Sequence, residues 1–190
     1  MNLEIVCAGI GGRGVLMAST ILMETAIKAG LSAMASDEYG MSQRGGSVVS
    51  LVKIGNFRSP LIGAENAGIL LAFEESEFYR NLRFLGKGAL VVINTDKKKL
   101  PDAVTELLMG RKTISYLIDA DALAKQLGMI QASNMAVLGF FSRLAIAPYT
   151  EENIMKTIGE KVHKRVAEKN LEVFREGCAW GDNLRQYRKT

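Results

Sequence analysis

The feature that most constrains this chain is a strand-like apolar run that ends in glycines and opens directly onto a helix-like run. Leu3-Glu4-Ile5-Val6-Cys7-Ala8 leads into Gly9-Ile10-Gly11-Gly12-Arg13-Gly14-Val15. Apolar residues then recur at helical spacing from Val15 to Ala29, through Leu16, Ile21, Leu22 and Ile27. Gly9, Gly11 and Gly14 fit the G-x-G-x-x-G spacing. In that pattern the first glycine permits a tight turn, the second lets backbone approach a ligand, and the third lets helix and strand pack closely. Free N–H groups and the dipole at a helix start then favour an anion. Asp37 follows about 20 residues on, where a ribose-binding acid falls in dinucleotide folds.

A second glycine-rich loop, Gly40-Met41-Ser42-Gln43-Arg44-Gly45-Gly46-Ser47, precedes the apolar run Val48-Val49-Ser50-Leu51-Val52. Its glycines permit positive φ and close backbone approach. Arg44 offers a fork of donors suited to phosphate or carboxylate.

The rest of the chain alternates strand and helix patterns, which predicts a three-layer, Rossmann-like α/β domain with a mostly parallel sheet. Strands are expected at 31–36, 46–54, 68–73, 88–94 and 112–118. Gly55-Asn56 suits a type II′ turn. It predicts a hairpin from Gly46–Ile54 to Phe57–Ile62, adding antiparallel character. Helices are expected at 74–85, at 120–127 capped by Asp119 and stopped by Gly128, and at 134–147, apolar nearly all round and stopped by Pro148. Thr150 caps a last helical stretch on which Ile154, Ile158, Val162 and Val166 share a face. That face breaks at Leu171 and Phe174, so either the helix restarts near Asn170 or both of its faces are covered. With Trp180 these residues predict a protein interface, a homodimer contact when a larger partner is absent. The reading is one domain over 1–177, with a basic tail from 178 to 190.

Composition narrows the chemistry. Twenty-four basic against 20 acidic residues is a modest excess, scattered along the chain, so nucleic acid is not indicated. No apolar stretch is long enough to span a membrane and no basic leader precedes the first strand, so a cytoplasmic protein is expected. Two cysteines and one histidine exclude a self-sufficient iron–sulfur or zinc centre. Cys7 reads as a buried small hydrophobe and His163 as a solvated residue on a charged helix. No catalytic acid, base or nucleophile is assigned, and no metal site. From the residues alone, a stand-alone NAD(P)-binding oxidoreductase and a non-catalytic binding module both stay open.

The two loops together resemble the small γ-type subunit of 2-oxoacid:ferredoxin oxidoreductases, above all its indolepyruvate branch. Further matches are Ser59-Pro60-Leu61-Ile62, Val91-Val92-Ile93-Asn94-Thr95, Asn134 with Leu138-Gly139, and Asn170-Leu171 with Phe174. The resemblance covers nearly the whole chain. It implies oxidative decarboxylation of a 2-oxoacid to an acyl-coenzyme A, with electrons passed to ferredoxin. Thiamine diphosphate and 4Fe-4S clusters are then expected on a larger partner subunit. This chain completes the active-site region and helps bind coenzyme A as cosubstrate, holding no cofactor tightly by itself. The residues implied for that site are Gly9, Gly11, Gly12, Arg13, Gly14, Asp37, Ser42, Gln43, Arg44, Gly45 and Gly46. Arg13 stands where the family usually has Gln, and Glu38-Tyr39 where it often has Val-His.

Overall fold

Four apolar runs form the parallel part of one sheet: β1 (Leu3–Ile10), β4 (Ala67–Ala72), β5 (Leu85–Asn94) and β6 (Ile114–Ile118). β1, β4 and the second half of β5 are apolar almost without alternation because both faces are covered, as in parallel sheets generally, whereas β6 is exposed at Ile114 and Ser115. In the computed structural model, which describes residues 1–40 and 45–187, the six-stranded order is β2-β3-β1-β4-β5-β6, with β2 at Ala33–Tyr39 and β3 at Ser47–Ile54. One face carries α1 (Val15–Lys28), α4 (Ala120–Gln126), α5 (Ser133–Ser142), α6 (Glu151–Lys161) and α7 (Lys164–Tyr187). The other carries α2 (Glu75–Arg80) and α3 (Asp102–Gly110). The α/β class, the three layers and the mostly parallel sheet are as the sequence predicts.

The antiparallel hairpin is there, but one element earlier than expected. β3 lies between β1 and β2 and runs antiparallel to both, so β2 and β3 form the antiparallel hairpin. Residues 57–62 form no strand. Both edges of β3 are already used, so no edge is left for a partner at 57–62. Gly55 and Asn56 are instead tied back to the start of the sheet. The Gly55 N–H donates to the Ser32 carbonyl at 2.8 Å and the Asn56 N–H to Asn2 Oδ1 at 3.1 Å.

Other boundaries move for local reasons. The 74–85 helix is shorter: α2 ends at Arg80 and a 3-10 turn over Leu82–Phe84 feeds β5. Helix α3 has no counterpart among the expected elements. α5 is buried on every side, as predicted, but it stops at Ser142, ahead of Pro148. Asp119 and Thr150 cap as expected, accepting from Ala122 N–H at 2.9 Å and Asn153 N–H at 3.2 Å. The last helical stretch breaks at Val162. Ile154, Ile158 and Val162 are buried, whereas Val166 is 37% exposed and belongs to α7. His163 sits in that break, exposed, its Nδ1 accepting from the Arg165 N–H. α7 then runs unbroken past residue 178, with Cys178 buried.

The interface expected at the C-terminus is corrected in part. Phe174 is fully buried within the chain, and Leu171 and Trp180 are half-buried against the same core. At Phe174 the broken helix face packs on α5, whereas the half-buried Trp180 also borders a groove. Among the described residues no helix is long and apolar enough to cross a membrane.

Candidate functional site

The two glycine loops meet. β3 pairs with β1 up to Ile10 and Ser47, so the chain leaving β1 and the chain entering β3 emerge side by side. The Gly11 N–H donates to the Gly46 carbonyl at 2.8 Å, and the Gly45 N–H reaches the Gly11 carbonyl at 3.5 Å. Gly40 N–H closes the stem onto Ser47 O at 2.8 Å. Met41, Ser42, Gln43 and Arg44 lie outside the described residues, so three of the expected site residues receive no position here.

Each glycine of the first loop has its own reason. A Cβ on Gly9 would stand 2.7 Å from Val15 Cγ2 and 3.2 Å from Phe73 Cβ, so this position lets α1 start hard against the sheet. Gly14 is the N-cap of α1 at φ +70°, and a Cβ there would lie 2.5 Å from Asn134 Nδ2. That amide donates to the Gly14 carbonyl at 3.0 Å, fixing the loop to α5. Gly12 differs: its φ is +94° and nothing lies within 4 Å of a Cβ, so it faces open space. Gly45 is also open, at φ +76°. A hollow of about 400 Å³ lies over this junction, lined by Gly11, Gly12, Gly14, Val15, Tyr39 and Val48 among others.

The start of α1 carries no side-chain cap and no acidic residue in its first turn. Its first helical bond is Ala18 N–H to Gly14 O at 3.0 Å, so the N–H groups ahead of it have no partner within the helix. A small anionic group fits such a cradle: open glycine backbone on one side, helix-start N–H groups on the other.

Arg13 does not add its charge to that hollow in the manner expected. Its guanidinium is turned to carboxylates, 2.7 Å from Asp121 and 3.6 Å from Glu74. Nor does Asp37 stand beside the loop as a ribose acid does in dinucleotide folds, because β3 separates β2 from β1. Its carboxylate accepts from Ser50 Oγ at 2.6 Å within the β2–β3 ladder.

The carboxyl ends of β4, β5 and β6 form a polar cleft of about 360 Å³ beside Arg13, which the sequence reading missed. Asn94 organises it: Nδ2 donates to Phe73 O and Asp121, and Oδ1 accepts the Ala120 N–H. Glu75 accepts from Thr95, Tyr79 and Lys97 at 2.5, 2.6 and 2.7 Å. Burial pushes its carboxyl up, but the three donors outweigh burial and hold it below its ordinary value. Tyr79 is pushed up to about 12 by burial and by the carboxylate it donates to. The available signal was a polar residue directly after each apolar strand, Glu74, Asn94 and Asp119. Among the described residues no group of three or more His, Cys, Asp or Glu side chains is placed to hold a metal ion.

Comparison with known proteins places this architecture. Residues 4–180 match the family described as pyruvate ferredoxin/flavodoxin oxidoreductase. The chain is 34% identical over 190 residues to the indolepyruvate oxidoreductase subunit IorB of Archaeoglobus fulgidus, covering 93% of this chain and 94% of that one. It is 26% identical to the common γ subunit of the pyruvate/ketoisovalerate oxidoreductases of Thermococcus kodakarensis, covering 92% and 94%. Among solved structures, the keto/oxoacid ferredoxin oxidoreductase γ subunit of Geobacter sulfurreducens superposes with a TM-score of 0.74 at 24% identity, covering 94% and 98%. The 2-oxoglutarate:ferredoxin oxidoreductase of Magnetococcus marinus, solved with 2-oxoglutarate, coenzyme A and succinyl-CoA bound, superposes with a TM-score of 0.78 at 22% identity. This chain covers 31% of that longer one, and 96% of itself is matched. A family match across almost the whole chain, joined to a fold that brings both glycine loops together, leads to one conclusion: the chain belongs to the pyruvate ferredoxin/flavodoxin oxidoreductase family.

Proposed function

We propose that this chain is the small, γ-type subunit of a 2-oxoacid:ferredoxin oxidoreductase of the indolepyruvate kind. In this reading it completes the active-site region and contributes one wall of a coenzyme A site. The larger subunit carries thiamine diphosphate and the iron–sulfur clusters and delivers electrons to ferredoxin. Thiamine diphosphate, when bound there, supplies the electron sink for decarboxylation. The indolepyruvate assignment follows the stronger likeness, 34% identity against 26% for the pyruvate/ketoisovalerate relative.

The observation that carries the reading is the junction of the two glycine loops. Gly11 is bonded to Gly46, while Gly12 and Gly45 present open backbone beside the uncapped start of α1. The pyrophosphate of coenzyme A has the charge and size for that cradle. The chain's part is to bind and orient this anion against the larger subunit. A stand-alone NAD(P) enzyme is the weaker reading, since Asp37 is committed to Ser50 and stands a strand away from β1.

Titration of coenzyme A and NAD into the complex, assembled with wild-type chain or with Gly12→Val, tests this. Losing one charge-assisted contact of about 1.5–3 kcal/mol weakens coenzyme A binding by about tenfold or more. Tighter binding of NAD than of coenzyme A, or coenzyme A binding unchanged by Gly12→Val, overturns the assignment.

A further inference from the structure

The sheet ends at β6, which has β5 on one side and no strand on the other. Thr95 N–H donates to Ile118 O at 3.0 Å, so Ile118 directs its backbone groups toward β5. Backbone direction alternates along a strand. Ser115 and Leu117 therefore turn their N–H and C=O groups to the free side. Proteins blunt such edges with charge, proline or bulges. β6, Ile-Ser-Tyr-Leu-Ile, has none of these, and Ile114 is 40% exposed.

The space beside this edge has the form a further strand needs. A groove of about 670 Å³ runs along Ser115, Tyr116 and Leu117. Thr105 of α3 borders it from one layer and Trp180 of α7 from the other. Helices thus stand on both faces of a strand position that the described residues leave empty.

Charge selects the occupant. Lys97, Lys98 and Lys99 line the groove with the acids Asp96 and Asp119; Lys97 is paired with Glu75 and Lys99 with Asp102, which leaves Lys98 as the cation to be met there, and Lys112 stands two residues ahead of β6 at its other end. Lys98 and Lys112 are exposed and carry no ion pair among the described residues. A second copy is disfavoured. Antiparallel pairing of β6 with itself would set Lys112 of each copy toward the Lys97–Lys99 end of the other, and like charges across a ladder destabilise it.

We propose that the free edge of β6 docks an extended, acidic segment of a partner polypeptide, which pairs with Ser115 and Leu117 as a seventh strand between α3 and α7. The segment's source is the larger subunit proposed above, and to that extent the inference rests on that reading.

Hydrogen exchange on the tagged full chain, free and in the complex recovered from its native host, reads this directly. The Ser115 and Leu117 amides are expected to exchange fast in the free chain. In the complex they slow by about tenfold or more, together with an acidic stretch of the larger subunit. Ser115→Pro removes one edge-facing N–H without touching the β5 ladder. It is expected to weaken retention of the larger subunit while the circular dichroism and melting temperature of the free chain stay close to wild type. Lys98→Glu with Lys112→Glu, which leaves the backbone edge intact, is expected to weaken retention as well. A larger subunit that is retained while both amides stay fast overturns the edge proposal and leaves the functional reading standing. Recovery of no larger subunit overturns the functional reading and the occupant together. A homodimer abolished by Ser115→Pro shows self-pairing and overturns the acidic occupant.

Discussion

Gly12 and Gly14 sit two residues apart in one loop, both at positive φ, and the structure separates their roles. An L-residue in the left-handed region costs about 1–2 kcal/mol. Gly14→Ala meets that cost and also drives a Cβ into Asn134, which holds the loop to α5. Overpacking adds about 1–3 kcal/mol. Gly12→Ala meets the backbone cost alone, since nothing stands within 4 Å. Urea denaturation should therefore find Gly14→Ala the more damaging by about 1–3 kcal/mol. Equal losses would mean that the Asn134 contact contributes nothing.

Glu75 and Tyr79 make a pH prediction of two signs. The Glu75 carboxyl is held below its ordinary 4.5, so its contribution is present above that pH and fades as pH falls below it. The Tyr79 hydroxyl titrates near 12 against an ordinary 10, so its contribution is present below pH 10 and lost between 10 and about 12. Melting temperature followed across pH should show Tyr79→Phe with a shallower alkaline decline over that window. An unchanged alkaline limb would dismiss the Tyr79–Glu75 bond as a source of stability.

At the scale of elements, α5 and α7 touch through backbone. A Cβ on Gly139 would stand 2.0 Å from Phe174 O, and one on Gly177 would stand 2.0 Å from Ala136 O. Each glycine thus receives the other helix's carbonyl side. Gly139→Ala or Gly177→Ala must push the helices apart, at or above the upper end of the usual overpacking cost of about 1–3 kcal/mol. Once the pair is separated the second substitution meets less resistance, so the double variant should fall short of additivity. Gly159 in α6 supplies the contrast. It is exposed, with nothing within 4 Å, so Gly159→Ala should stabilise by about 0.5–1 kcal/mol. Denaturant midpoints of the four variants check both statements.

This helix pair also marks what the sequence could convey about elements. Burial of α5 on all sides is legible, because an apolar residue at every turn position leaves no polar face. The need for glycine at 139 is not, since it depends on a carbonyl 35 positions away in sequence. Phe174 was misplaced for the same reason. Its periodicity departs from the preceding face, but α7 starts anew at Lys164 and aims that departure inward, onto α5.

At the scale of the molecule, the chain has two cysteines, both buried and free. An iron–sulfur cluster is held by four thiolates in most proteins. Purified alone, the chain should be folded, colourless and inactive with 2-oxoacids, and activity should return when the larger subunit is added. Turnover by the pure chain, or visible absorption from a cluster bound to it, would contradict the subunit reading.

The sequence by itself determined what depends on neighbours along the chain. Apolar runs fixed the buried strands, Asp119 and Thr150 the helix starts, and the glycine spacing the turn from β1 into α1. Tertiary structure alone decided which strands lie side by side. Insertion of β3 between β1 and β2 joins the two glycine loops, removes Asp37 from β1, and denies residues 57–62 a partner strand. Arg13 was settled in the same way, by Asp121 arriving in the first turn of α4 more than a hundred residues later. Local pattern sets the conformation of a segment. The partner of a strand edge or a guanidinium is set by which distant groups the closed sheet brings within reach, and no local pattern encodes that.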